Sequence, residues 1–219
     1  MINSVKPNLI VSDSRGAWFR ATILFILALI GTVGMWSVVV FIPDIEKEFG
    51  LDRGTSSLLY AFTMIGFGFG TVVIGKVYDK FGIKKPILLA TFVLITSYYF
   101  YSIFPFYWQF LILQFFMGFA ASAFFGPAMA DISNFFNKQR GFALSIVASA
   151  NYVAGATWPL LIGYFLTFID WRAAHFWISI CLFIMIPLIL LLKNASVDES
   201  KSHDMKQRYK DCLLYTSDA

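Results

Sequence analysis

Charged residues are scarce in this sequence, and they are confined to short segments. Only 14% of the 219 residues are Asp, Glu, Lys or Arg, whereas a soluble domain carries about 25%. Stretches without any of them cover residues 21–43, 54–75, 86–130, 141–169 and 173–192. A soluble helical bundle would need polar outer faces, and these stretches are apolar on all sides. The composition therefore argues against a soluble bundle and indicates a chain embedded in a membrane.

Cysteine and the common catalytic signatures are also rare or missing. Two cysteines are too few for a disulfide framework or a Cys/His metal site, so we expect no metal and no cofactor. The sequence contains no HExxH, no GxSxG and no pair of aspartates within an apolar stretch, which argues against an enzyme. The net charge of +4 lies at the ends of apolar stretches, where membrane topology explains it better than nucleic acid does.

The apolar stretches have the length of membrane-spanning helices. A helix needs about 20 apolar residues to cross a bilayer. The stretch 86–130 is long enough for two crossings, with Phe104-Pro105-Phe106 as the natural break. We therefore predict an all-α membrane protein with six transmembrane helices. Their expected bounds are about 21–43, 55–75, 86–103, 107–130, 141–166 and 173–192.

Basic and non-basic loops alternate along the chain, and this predicts its orientation. The segments 1–20, 76–85, 131–140 and 193–211 are basic, whereas the loops around 44–53, 104–107 and 170–172 are acidic, uncharged or balanced. Positive charge accumulates in loops on the cytoplasmic side. We expect a cytoplasmic N-terminal tail over 1–20, a cytoplasmic segment over 194–211, and both termini inside. The frequent Ile, Phe and Lys favour an AT-rich bacterial genome and a bacterial inner membrane.

Small residues recur every four positions in two of the predicted helices. Because lipid provides no hydrophobic drive for association, helices in membranes pack closely through such residues. Helix 2 carries Gly66 and Gly70. Helix 4 carries a longer series, namely Gly118, Ser122, Gly126 and Ala130. These series predict contact surfaces between helices.

The basic segment GKVYDKFGIKK between helices 2 and 3 resembles the loop signature of the major facilitator superfamily, roughly G-x-x-x-D-R-x-G-R-K. The matching positions are Gly75, Asp79, Lys80, Gly82, Lys84 and Lys85. Lysine stands at position 80 where the family has arginine. From the residues alone, we expect both glycines to serve a tight cytoplasmic turn.

Two further segments resemble the same family. NFFNKQRGFALSIVASANYVAGATWPL, at the end of helix 4 and into helix 5, is similar to a segment of monocarboxylate and oxalate/formate-type members. Asp170-Trp171-Arg172 before helix 6 is similar to the family's G-W-R. Together the resemblances cover residues 17–193.

The resemblance implies the six-helix N-terminal half, built as a 3+3 repeat, of a twelve-helix transporter. Such carriers hold a small solute between two halves that rock alternately open to either side of the membrane. The missing C-terminal half, the solute and the lipid bilayer are the implied partners. In the family, the aspartate that corresponds to Asp79 meets a helix start of the other half, and the following basic residue, here Lys80, pairs with an acid, here Asp131. Arg140 completes the implied conformational gate.

Polar and aromatic side chains within the helices are candidates for a substrate cavity. They are Trp36, Tyr60, Gln114, Asn151 and Tyr152. His175 is expected at the membrane interface. The resemblance favours a small organic anion such as a monocarboxylate, whose cationic partner would come from the other half. Two alternatives stay open: a membrane protein with this fold that does not transport, and a natural six-helix half that acts as a dimer.

The last eight residues, CLLYTSDA, match the translation of a transposase-type sequencing adapter. We therefore expect residues 212–219 to be an artefact, and the genuine sequence to depart from the given one near Asp211.

Overall fold

The computed structural model describes residues 13–192, which form six long helices. Residues 1–12 and 193–219 lie outside the described residues. With them lie most of the expected N-terminal tail over 1–20, the expected cytoplasmic segment over 194–211 and the suspected artefact over 212–219. The helices are α1 (Arg15–Phe49), α2 (Arg53–Phe81), α3 (Lys84–Ile103), α4 (Tyr107–Phe135), α5 (Arg140–Phe165) and α6 (Trp171–Leu191). Each is long and apolar enough to cross a membrane, and the protein is an all-α membrane protein with six spans, as the sequence predicts.

Several helices extend beyond their apolar stretches, because charged residues at a membrane surface can continue a helix into water. α2 runs on to Phe81 and so includes Gly75 and Asp79. The chain turns only at Gly82, whose φ of 72° lies in the left-handed region that favours glycine. The expectation that both glycines serve the turn is therefore wrong for Gly75, which lies inside α2 and faces open space.

The six helices pack in a pattern that repeats between the first three and the last three. α1 packs mainly against α5, α4 packs mainly against α2, and α3 packs mainly against α6. If α1 corresponds to α4, α2 to α5 and α3 to α6, then the contact of α1 with α5 corresponds to the contact of α4 with α2. The contact of α3 with α6 corresponds to itself. The packing is therefore that of a 3+3 repeat.

The closest helix contact joins α2 and α4, where glycines allow the two backbones to touch. A Cβ atom added to Gly118 would overlap the carbonyl oxygen of Thr63, and one added to Gly66 would overlap that of Phe115. One added to Gly70 would lie 2.7 Å from the carbonyl oxygen of Phe119. The predicted contact surfaces of small residues are confirmed here, although Gly126 faces open space and takes no part.

Two helices that correspond in the repeat, α1 and α4, are both interrupted near their middle. In α4, a short 3₁₀ turn at Ser122–Phe124 precedes Pro127, whose ring clashes with the carbonyl four residues earlier. α1 is interrupted at Thr32, whose hydroxyl donates to the carbonyl of Ala28 at 2.8 Å, a bond that often bends helices.

Candidate functional site

Most of the predicted gate residues lie at the end of α2, at the start of α3 and at the start of α5. Asp79 and Lys80 are exposed in the last turn of α2. Lys80 and Lys85 place their ammonium groups 5.3 Å and 4.5 Å from the ring centroid of Phe81. Arg140 is exposed in the first turn of α5. Asp79 therefore lies on the surface of the described helices.

Asp131 does not pair with Lys80 in the structure. Its carboxylate accepts hydrogen bonds from Nε and Nη2 of Arg20, at 2.5 Å and 2.8 Å, and only 8% of its side chain is exposed. The guanidinium carbon of Arg20 also lies 4.5 Å from the ring centroid of Phe135. A buried carboxylate needs a buried partner, which Arg20 provides from α1, whereas Lys80 remains in water. The expected Lys80–Asp131 contact is thus corrected to Arg20–Asp131.

A second contact ties the start of α1 to the loop before α5. The carboxylate of Asp13 accepts from the backbone N–H groups of Asn137, Lys138 and Gln139 at 3.2–3.3 Å. Partial desolvation of Asp13 acts in the opposite direction, but these three donors hold its pKa below the usual value. Together with Arg20–Asp131, this contact connects the start of α1, the end of α4 and the start of α5.

Two of the predicted cavity residues meet at the contact between α1 and α5. Nε1 of Trp36 donates to Oδ1 of Asn151 at 3.2 Å. The indole ring of Trp36 also covers Gly155, where an added Cβ atom would lie 3.0–3.1 Å from ring carbons. Both Trp36 and Asn151 are half-buried, so part of each side chain is accessible from the surface of this half.

The other cavity candidates lie elsewhere. Gln114 is buried between helices: its Oε1 accepts from the hydroxyl of Thr63 at 2.9 Å, and its Nε2 donates to the hydroxyl of Tyr101 at 3.3 Å. Because both ends of the amide are occupied, Gln114 joins helices and does not line a cavity. Tyr60 and Tyr152 are exposed on α2 and α5, and within residues 13–192 neither ring contacts Trp36.

His175 lies near the start of α6 and is buried among other helices; the expectation that it lies at the depth of the membrane interface stays a prediction. Its ring stacks on Tyr101 with centroids 4.4 Å apart, and it lies 4.0 Å from the ring of Phe41. Its Nδ1 is 2.7 Å from the carbonyl oxygen of Trp171. Aromatic side chains from α1 and α3 cover the ring of His175. The position of His175 in the sequence, near the start of α6, does not predict these contacts.

Contacts at the outer ends of the helices involve residues of the Asp170-Trp171-Arg172 segment. Glu48 accepts from Nε1 of Trp171 at 2.8 Å and from Nη2 of Arg172 at 2.6 Å. Nη1 of Arg172 donates to the carbonyl oxygen of Phe104 at 2.8 Å. These bonds join the outer ends of α1, α3 and α6. The resemblance points to Trp171 and Arg172, but Glu48 carries no signal beyond its negative charge.

One further contact that the sequence analysis missed stabilises the interrupted part of α1. Nε1 of Trp158 donates to the carbonyl oxygen of Leu29 at 2.8 Å. Trp158 lies seven residues after Asn151, on the same face of α5. This face therefore holds α1 on both sides of its interruption.

Within residues 13–192, no group of His, Cys, Asp or Glu side chains is arranged to hold a metal ion.

Comparisons with known proteins agree with this architecture. The family model of the Major Facilitator Superfamily matches residues 24–214. The MFS-type transporter pynF of Aspergillus niger is 28% identical over 64% of this chain and 33% of its own length. The agnestins efflux protein AgnL12 of Paecilomyces divaricatus is 26% identical, over 68% and 35%.

The inner membrane transport protein YnfM of Escherichia coli is 23% identical over 77% of this chain and 41% of its own length. The match to each of these three relatives thus covers about a third to two fifths of the relative's own length. The family match covers most of the chain, and the six spans carry the paired-helix packing of a 3+3 repeat. The chain belongs to the Major Facilitator Superfamily.

Proposed function

We propose that this chain is the six-helix N-terminal half of a secondary active transporter that moves a small solute by alternating access. One observation carries the proposal. The two helices that correspond in the repeat, α1 and α4, are interrupted where they cross, and Phe124 of one lies on Gly31 of the other. In transporters built from repeats, discontinuous helices at the membrane midplane form the substrate site.

The substrate that we favour is a small organic anion such as a monocarboxylate. The segment of α5 that resembles monocarboxylate carriers contains Asn151, the polar residue that contacts Trp36. Arg20 is already neutralised by Asp131, so we assign the cation that binds the anion to the other half, where a guanidinium could hold a carboxylate with two bonds.

The gate of this transporter is proposed to lie at the cytoplasmic ends of α2, α3 and α5. Asp79 is exposed and can therefore meet the N-terminus of a helix in the other half, which attracts negative charge. The buried Arg20–Asp131 pair would hold α1 and α4 together while the halves move. The other proposed gate residues are Gly75, Lys80, Gly82, Lys84, Lys85 and Arg140.

The protein is proposed to reside in a bacterial inner membrane with both termini in the cytoplasm. One relative, YnfM, is named as an inner membrane transport protein, and the alternation of basic loops supports the orientation. Fungal relatives match as well, so the bacterial assignment depends on the composition of the sequence and needs the source genome to test it.

A second candidate function is export of a larger organic molecule. It is favoured by the relative named as an agnestins efflux protein. Two other possibilities from the sequence also stay open, a protein of this fold that does not transport and a six-helix half that works as a dimer. These four candidate functions predict different behaviour of the purified protein in liposomes.

The experiment is transport by the full-length protein in liposomes. Labelled formate, acetate, pyruvate, lactate and oxalate would be tested with and without a proton gradient, and counterflow would distinguish carriage from leakage. We expect saturable flux of at least one anion. Saturable flux of larger organic molecules alone would favour export, and the absence of flux from correctly inserted protein would favour the non-transporting alternative. Cross-linking would identify a dimer of halves.

A further inference from the structure

The contact between Trp36 and Asn151 determines which way the amide of Asn151 points. An indole Nε1–H can only donate a hydrogen bond. The atom of Asn151 that lies 3.2 Å from it must therefore be the amide oxygen, Oδ1. This fixes the orientation by chemistry, although oxygen and nitrogen of an amide are often hard to tell apart. The amide nitrogen, Nδ2, then points away from the indole.

The amide nitrogen of Asn151 has no hydrogen-bond partner in the described part of the chain, residues 13–192. Within the same residues, no buried side-chain nitrogen or oxygen lacks a partner. Nδ2 must therefore reach the surface of this half. It carries two N–H donors, and inside a membrane an unpaired donor is costly, so a partner from outside the described residues is expected.

The orientation of Asn151 is held in place by close packing. The ring of Trp36 covers Gly155, one helical turn after Asn151, so closely that even a methyl group would meet ring carbons at 3.0–3.1 Å. One further turn along, Trp158 is bound to the backbone of α1 through the carbonyl of Leu29 at 2.8 Å. The ring of Trp36 therefore has no room to move toward α5 at Gly155, and this packing supports the contact between its N–H and Oδ1 of Asn151.

We propose that Asn151 is a specificity-determining residue whose Nδ2 donates to a carbonyl or carboxylate oxygen of the transported solute. Trp36 is the positioning residue, because its N–H occupies the amide oxygen and leaves only donors exposed. The ring of Trp36 supplies apolar surface beside the amide of Asn151. This assignment rests on the proposed transport function and names the chemistry that the N-terminal half would recognise.

Two substitutions of Asn151 in the full-length protein distinguish the loss of its hydrogen-bond donors from the introduction of a negative charge. Asn151→Leu keeps the approximate shape and removes the donors. Asn151→Asp keeps the acceptor for Trp36 and replaces the donors with a negative charge. Gln109→Glu is the matched control, since it makes the same amide-to-carboxylate change at the outer start of α4, where the side chain accepts from the backbone N–H of Phe106. The probes are labelled pyruvate and lactate, with transport and ligand-induced thermal stabilisation as the two readouts.

A hydrogen bond to a charged partner contributes about 1.5–3 kcal/mol, which corresponds to roughly 10- to 100-fold in affinity. We expect Asn151→Leu to raise KM by about tenfold or more, and Asn151→Asp to raise it further, with Gln109→Glu unchanged. Trp36→Phe, which keeps a ring but frees the amide oxygen, should raise KM less than Asn151→Leu.

The outcomes separate this assignment from the proposed function. If neither probe is transported and neither stabilises the wild-type protein, this assignment fails, and the proposed anion transport fails as well if formate, acetate and oxalate are not transported either. If the wild-type protein transports a probe and Asn151→Leu has the same KM, the donor role is wrong while transport stands. If only Asn151→Asp loses affinity, charge repulsion alone acts at this position, and the donor role is again wrong.

Discussion

The ring of Phe124 lies directly on Gly31, at the place where the interrupted helices α1 and α4 cross. A Cβ atom at Gly31 would overlap this ring, so the close approach of the two helices depends on the absence of a side chain. Both residues are buried. The contact joins the two helices that correspond in the 3+3 repeat, and along α1 it lies between Arg20, which pairs with Asp131, and Glu48, which contacts α6.

Gly31→Ala should destabilise the protein by about 1–3 kcal/mol, the usual cost of overpacking a filled core. The measurement is thermal unfolding of purified protein in detergent. Combining it with Phe124→Leu, which replaces the ring by a smaller side chain, should recover part of the loss. A double variant that is no better than the sum of the single variants would show that the two residues do not act through this contact.

The glycines of α2 provide an internal comparison of helix packing. Gly66→Ala would force α2 away from the backbone of Phe115, whereas Gly68→Ala projects into open space two residues later. We expect Gly66→Ala to destabilise the protein by about 1–3 kcal/mol. Gly68→Ala should be neutral, or stabilising by up to about 1 kcal/mol, because alanine favours helix. Equal thermal stability of the two variants would contradict the α2–α4 contact.

Breaking the Arg20–Asp131 pair should be costly because the remaining charge would be buried without its partner. Either Arg20→Met or Asp131→Leu alone should reduce the free energy of unfolding by about 3–5 kcal/mol, while the double variant should recover most of this loss. Lys80→Met serves as the control, since Lys80 is exposed and forms no ion pair with Asp131. A large loss of stability in Lys80→Met would favour the pairing expected from the family resemblance.

The proposed gate makes a kinetic prediction. Asp79→Asn should slow transport by the full-length protein while membrane insertion and thermal stability stay unchanged, because Asp79 is exposed at the end of α2. Asp44→Asn is the control for removing one carboxylate, because Asp44 lies near the C-terminal end of α1 and is not one of the proposed gate residues. Flux at the wild-type rate in correctly inserted Asp79→Asn protein would exclude the gating role.

The cap at the start of α2 should make stability depend on pH in the acid range. The hydroxyl of Thr55 and the backbone N–H groups of Thr55 and Gly54 donate to Asp52 and lower its pKa below 3.8. A depressed pKa stabilises the folded protein above the unfolded pKa, and this stabilisation is lost as pH falls through the folded value. The difference in thermal stability between wild type and Asp52→Ala should therefore be present at pH 7 and shrink below pH of about 3.8.

That comparison should be made against a residue without such donors. Asp170→Ala is suitable, because Asp170 precedes α6 without a side-chain capping bond. An Asp52→Ala difference that persists unchanged in acid would show that the carboxylate charge is not what stabilises the start of α2.

Much of the fold follows from local properties of the sequence. The apolar stretches and the break at Pro105 predict six spans because a bilayer requires uninterrupted apolar length. The four-residue spacing of Gly66, Gly70 and Gly118 with Ser122 predicts close packing because such residues share one face of a helix. Pro127 likewise accounts for the interruption of α4 from its own covalent structure.

The partners of the polar side chains were decided only by the tertiary structure. Arg20 and Asp131 are 111 positions apart in the chain, and so no local pattern distinguishes Arg20 from Lys80 as the partner of Asp131. Gln114 and Asn151 look alike in sequence, as single amides in apolar helices. In the structure, Gln114 is closed in by Thr63 and Tyr101, whereas Asn151 keeps its donors exposed.

The sequence by itself therefore determined which segments can cross the membrane and which faces pack, because these depend on apolar length and helical period; the orientation read from the sign of the loop charges stays a prediction. The tertiary structure alone decided which charges pair and which amide remains open. Those outcomes depend on how the helices cross, and the crossings are set by contacts such as Phe124 on Gly31, between residues far apart in the chain.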